Sequence, residues 1–148
     1  MQRMPRLLSL AICLATLACS APAAARCVPQ VRNAWLRVPP GAPGMVAGFG
    51  TIENRCSAPF TVVAARSTAF GGASLHETRV VDGVSQMRPV TELRLAPGGH
   101  ADLQPGGMHL MLMGPTRPLA AKTPVPVDFK LSNGQWISAE FDVRPMVP

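Results

Sequence analysis

The amino-acid sequence predicts an all-β domain, and three observations carry that reading. Short apolar stretches are separated by punctuation, sixteen prolines and thirteen glycines in 148 residues, and no segment sustains a helical stripe. Near the C-terminus, Val125, Val127, Phe129 and Leu131 alternate with Pro126, Asp128 and Lys130; Ile137, Ala139, Phe141 and Val143 then alternate with Ser138, Glu140 and Asp142. Alternation with period two marks strands with one buried face. Between the two runs stands Asn133-Gly134, a dipeptide suited to a tight hairpin turn.

From the N-terminus, Arg3 and Arg6 precede an apolar run from Leu7 to Ala18, and Ala23-Ala24-Ala25 supplies small residues for cleavage before Arg26. Residues 1–25 therefore read as a secretory signal peptide, too short for a membrane span, and residues 26–148 as one exported periplasmic domain. A lipoprotein acylated at Cys19 is the alternative, against which Thr16-Leu17-Ala18 matches the required motif poorly. Cys13 and Cys19 leave with the signal. Cys27 and Cys56 remain, and in an oxidising compartment two cysteines most simply form one disulfide. Metal ligation by these thiols is the competing reading, disfavoured because free thiols oxidise there.

Further strands are expected over Val31 to Arg37, Met45 to Glu53, Phe60 to Ala65, Ala73 to Val80, Val84 to Val90 and Met108 to Met113. Pro39-Pro40-Gly41 through Pro43-Gly44 is an irregular connection. Asp82-Gly83 suits a two-residue hairpin turn, which would set Met87 opposite Thr78 and make it a diagonal neighbour of His76. The length left after the signal suffices for one domain with a real core. The formal net charge is +6 for the whole chain. The arginines are scattered singly among few aromatics, which argues against nucleic-acid binding.

The chemistry concentrates in His76, Met87, His109 and Met111, spaced His-x10-Met-x21-His-x-Met. Imidazole nitrogen and thioether sulfur form a soft ligand set suited to Cu(I) rather than to Mg(II) or Ca(II). In a strand over Met108 to Met113, His109, Met111 and Met113 share one face and Met108, Leu110 and Leu112 the other. Burying an imidazole without a partner is costly, so the His109 face is expected to look outward. Met113 is read as a shield for the metal or as part of a partner patch. His100 lies outside the spacing and reads as an exposed loop or edge side chain; Trp35 and Trp136 read as packing.

The spacing resembles, residue for residue, the motif of the periplasmic copper chaperones of the PCu(A)C type. So does the surrounding text: Leu75-His76-Glu77-Thr78 ahead of Asp82-Gly83, Met87-Arg88-Pro89-Val90, and Pro105-Gly106-Gly107 before His109-Leu110-Met111-Leu112. The resemblance runs from about Ala34 to about Val143. It implies a single antiparallel Greek-key, cupredoxin-like β-sandwich that binds Cu(I), with Cu(II) as the alternative oxidation state. It also implies a non-enzymatic function: delivery of copper to the dinuclear centre in subunit II of cytochrome c oxidase, alongside a Sco-type thiol protein. The sequence ends Arg144-Pro145-Met146-Val147-Pro148, without the His/Met-rich tail of some family members, so a second Cu(II) site is not expected there.

Other classes fare less well. A blue-copper carrier needs a cysteine thiolate beside its histidines, and no cysteine lies near His76 or His109. Ser74 and Ser85 show no triad pattern for a hydrolase. A copper storage or resistance protein, and a β-sandwich module without metal, remain as alternatives. No stable membrane insertion is expected of the exported chain.

Overall fold

The computed structural model describes residues 26–41 and 43–146; the segment read as a signal peptide, with Cys13 and Cys19, lies outside the described residues. Ten strands follow in order: β1 (Gln30–Val38), β2 (Met45–Glu53), β3 (Phe60–Arg66), β4 (Phe70–Val81), β5 (Val84–Pro89), β6 (Leu93–Leu95), β7 (His100–Leu103), β8 (Met108–Pro115), β9 (Pro124–Leu131) and β10 (Trp136–Pro145). They pair in the order β5-β4-β8-β2-β1-β10-β9-β3-β6, with β7 also on β2. The pairing of strands distant in sequence gives the Greek-key, cupredoxin-like architecture. All pairs are antiparallel except β1 with β10, where Trp35 to Val38 run alongside Asp142 to Pro145 in parallel.

The sheet curls so that β3 packs near β4, and one face becomes the core. Leu36, Val46, Ile52, Val62, Leu110, Leu112, Val125, Val127, Phe129 and Phe141 are almost wholly enclosed. Every strand except β5 contributes to this cluster, which leaves the β4–β5 hairpin as a projection. Its turn is the expected two-residue one. Val81 pairs with Val84, and Asp82 and Gly83 both take positive φ, 51° and 77°, the conformation of a type I′ turn.

Asn133-Gly134 behaves differently. Only Gly134 has positive φ, 87°, and the loop holds three residues, Ser132 to Gly134, closed by Leu131 N–H on the Gln135 carbonyl at 2.8 Å. Two bonds select the longer loop: Asn133 Oδ1 accepts from Gln135 N–H at 3.0 Å, and Ser132 N–H donates to the Thr61 carbonyl at 2.8 Å. Strands β6 and β7 were not among the expected elements.

The N-terminal end is fastened by a disulfide between Cys27 and Cys56, with Cα atoms 5.8 Å apart. Neither sulfur is then a free thiolate for copper. Beside it Asn54, fully buried, donates through Nδ2 to the carbonyls of Ala58, Ala96 and Leu95 and accepts from Cys56 N–H.

Candidate metal centre

Strand pairing, rather than loop geometry, assembles the candidate ligands. In the β4–β8 ladder His76 stands directly opposite His109, and Ser74 opposite Met111. In the β4–β5 ladder Thr78 stands opposite Met87. Side chains directly opposed across a ladder share a face, as do residues two apart on a strand. His76, His109, Met111 and Met87 therefore lie on one face of three neighbouring strands, the face away from the core.

The two imidazoles are 6.2 Å apart between ring centroids. Two metal–nitrogen bonds of about 2 Å, each with a ring radius of roughly 1 Å behind it, span about 6 Å when collinear and about 5 Å at a tetrahedral angle, so the two rings stand within about an ångström of sharing one ion. Met111 is diagonal to His76. Met87 is diagonal to His76 on the other side and 52% exposed on the projecting hairpin, where its long, flexible thioether is unconfined by packing.

The expectation that the His109 face looks outward requires correction in one respect. That face is opposite the core, yet His109 is only 6% exposed and Met111 9%. The adjoining strands cover them: His76 lies on one side, and on β2 Ala47 stands opposite Met111. Next along β2 comes Phe49, buried but outside the core cluster. Phe49 in turn meets Trp35 at 4.7 Å between centroids, and the Arg37 guanidinium lies 4.8 Å from the Phe49 ring centre. Trp35 is thus packing, as expected of it.

Burial of His109 is tolerated because the ring has a partner. Its Nδ1–H donates to the Gly107 carbonyl at 2.9 Å, and the same carbonyl accepts Thr78 N–H at 3.1 Å. With Nδ1 carrying the proton, Nε2 keeps its lone pair for a metal, the outer-shell arrangement usual for ligating histidines. Gly107 and Thr78 act through backbone atoms, so no side-chain pattern signalled them. The sole sequence cue was a carbonyl two residues before His109.

His76 Nε2 lies 3.0 Å from Ser74 Oγ. Burial, and then the charge of neighbouring His109, push the His76 pKa below its ordinary value. A lowered imidazole pKa keeps the ring neutral at pH 7 and lessens proton competition with a metal. Among the described residues no group of three or more His, Cys, Asp or Glu side chains converges on a point. The donors available here are the two nitrogens and the thioethers. His100 sits exposed on β7, 3.6 Å from Asp102, opposite Glu53 at the far end of β2 from Ala47 and Met111.

The family described as "Putative lipoprotein LpqE-like" matches residues 29–143. The chain belongs to the LpqE-like family. A curated relative, "Putative lipoprotein Lxx21020" of Leifsonia xyli subsp. xyli, is 37% identical over 106 residues, covering 71% of this chain and 63% of its own length; the chain thus spans less than two thirds of that relative. The solution structure of Cu(I)-bound DR1885 from Deinococcus radiodurans superposes with a TM-score of 0.63 at 27% identity, over 81% of each chain. The apo PCuAC domain from PmoF1 superposes with a TM-score of 0.64 at 19% identity, over 78% of this chain and 92% of that one, a likeness of fold. The LpqE-like chain is therefore a cupredoxin-like domain of the PCuAC structural type. Among the described residues no helix is long and apolar enough to cross a membrane.

Proposed function

We propose that this LpqE-like protein is an exported Cu(I) chaperone in which His76, Met87, His109 and Met111 hold the ion. The observation that carries the reading is the ladder register that opposes His76 to His109 and brings both methionines onto the same face. The likeness to a Cu(I)-bound protein at 27% identity supports the choice of metal. Thioether sulfur has no proton to lose and forms no disulfide, so the set holds Cu(I) where a thiolate pair would oxidise. Ligand position then serves transfer. Met87, exposed on the hairpin, is the donor an acceptor's ligand replaces first, while buried His109 and Met111 release last.

The acceptor we propose is the dinuclear copper centre of cytochrome c oxidase subunit II, with a Sco-type thiol protein as co-participant. Cleavage after Ala25 frees the domain into the periplasm, where Cys27 and Cys56 oxidise. The test is an anaerobic competition titration of the mature protein against a chromophoric Cu(I) chelator, beside a His109→Ala/Met111→Leu variant. One tight equivalent lost in the variant supports the site. Failure of the folded wild type to compete overturns it. For the acceptor, a strain lacking the gene should assemble less oxidase when copper is scarce; intact oxidase accompanied by copper sensitivity alone would replace delivery with storage.

A further inference from the structure

A second thioether pair lies two residues beyond Met111 on the same sheet face. Met113 follows Met111 on β8 with the same side-chain direction, and in the β2–β8 ladder it stands directly opposite Met45. Their neighbours Val46 and Leu112 point into the core, whereas Met113 is 40% and Met45 49% exposed. The pair is fixed at the end of its ladder, because Gly114 N–H donates to the Gly44 carbonyl at 2.9 Å. On its other side Met113 faces Gly72 of β4, where a Cβ would come within 3.3 Å of the Met113 methyl. The Met113 methyl thus rests over the Gly72 backbone, in space that a larger residue there would crowd.

We propose that Met45 and Met113 form a second, solvent-open Cu(I) site that passes the ion to and from the buried ligands. Directly opposed side chains have Cβ atoms about 5 Å apart, within reach of one ion shared by two flexible thioethers, and Cu(I) accepts soft sulfur donors. Two residues of strand place the pair roughly 7 Å from Met111. Exposure falls from the pair to Met111, so the face presents an open pair of donors beside the buried half of the four-ligand set, His109 and Met111. Two thioethers without imidazole bind more weakly than the full set, which suits a point of exchange. This inference rests on the protein carrying Cu(I), the reading given above.

The test is an anaerobic Cu(I) titration of the mature protein, with ascorbate as reductant, followed through the 13C-labelled methyl groups of its methionines. The first equivalent should move Met87 and Met111. The second should move Met45 and Met113 together and leave Met108 and Met146 in place. A Met45→Leu/Met113→Leu variant, which nearly conserves volume at half-exposed positions, should lose the second phase and keep the first. Met45 and Met113 signals that stay fixed, or that move in step with the first equivalent, overturn a separate site. Movement of the pair with Met87 and Met111 unmoved would instead overturn the four-ligand reading and leave the pair standing.

Discussion

Replacing Met111 by leucine separates ligation from packing. Met111 is 9% exposed, outside the core cluster, and held between Ala47 and Ser74 on the adjacent strands. Truncation to alanine there would cost about 2–5 kcal/mol through lost burial and a cavity, confounding any change in metal affinity. Leucine nearly conserves the volume and should cost under about 1.5 kcal/mol, which lowers the apo-protein Tm by at most roughly 6 °C for a domain of this size. The effect on copper is of another order. Removing a group that merely orients a ligand costs about 10–100-fold in metal affinity, so removing one of four donors should cost roughly 100-fold or more, about 2.7 kcal/mol. Competition against a chromophoric Cu(I) chelator reads the affinity, and thermal unfolding of the apo form reads the fold. A folded Met111→Leu protein with Cu(I) affinity within about threefold of wild type would show that the thioether is not a ligand and would leave the buried methionine as packing alone.

Three further outcomes follow from the frame around the site. Asn54→Leu keeps the branching and heavy-atom count of the side chain but strips partners from a buried amide cluster, and at about 1–3 kcal/mol for each group left unsatisfied it should cost roughly 3–5 kcal/mol by chemical denaturation; an unchanged midpoint would mean that water replaces the amide. Reducing the Cys27–Cys56 bond opens a loop with a sequence separation of 29, worth about 3–4 kcal/mol on the chain-entropy account, and thermal unfolding with and without reductant measures it. Asp128, hydrogen-bonded by Ser138 and Arg66, has its pKa held below the ordinary carboxylate value. A depressed acid pKa contributes stability above the unfolded-state value that is lost as pH falls through the folded one, so Asp128→Asn should flatten the loss of stability below about pH 4. With the Arg66 side chain 61% exposed, the effect should stay under about 1 kcal/mol.

What the sequence made legible was whatever local period or spacing controls. The alternation over Val125 to Val143 gave β9 and β10, because a strand with one buried face writes its period into the chain. Asp82-Gly83 gave the register that sets Met87 against Thr78, because a two-residue turn with both φ values positive leaves the flanking strands one pairing. Three-residue β6 and four-residue β7 are too short to display a period. The parallel docking of β10 on β1 is a long-range pairing that no local pattern specifies. The same division runs through the site. His109 and Met111 share a face by strand geometry alone, a relation already present in His-x-Met. Opposition of His76 to His109 depends on β8 entering between β4 and β2, a pairing that neither the alternation nor the Greek-key expectation specified.

The burial of His109 shows why local reasoning stopped short. An unpaired imidazole is costly to bury, and that premise made the His109 face an exposed one. The structure meets the cost instead with a backbone carbonyl, Gly107, which Thr78 N–H holds in place from β4. Neither group carries a side-chain signature. Yet the consequence for function is larger than exposure would have been: a ring fixed through Nδ1 offers Nε2 in one direction, and its neighbour His76 is biased toward the neutral form by the same enclosure. In the proposed Cu(I) site, enclosure on β8 combined with exposure of Met87 on β5 gives an enclosed half and an exposed half. A carrier that must hold Cu(I) and still surrender it needs both, and the projection of β5 beyond the core is the feature of the fold that separates them.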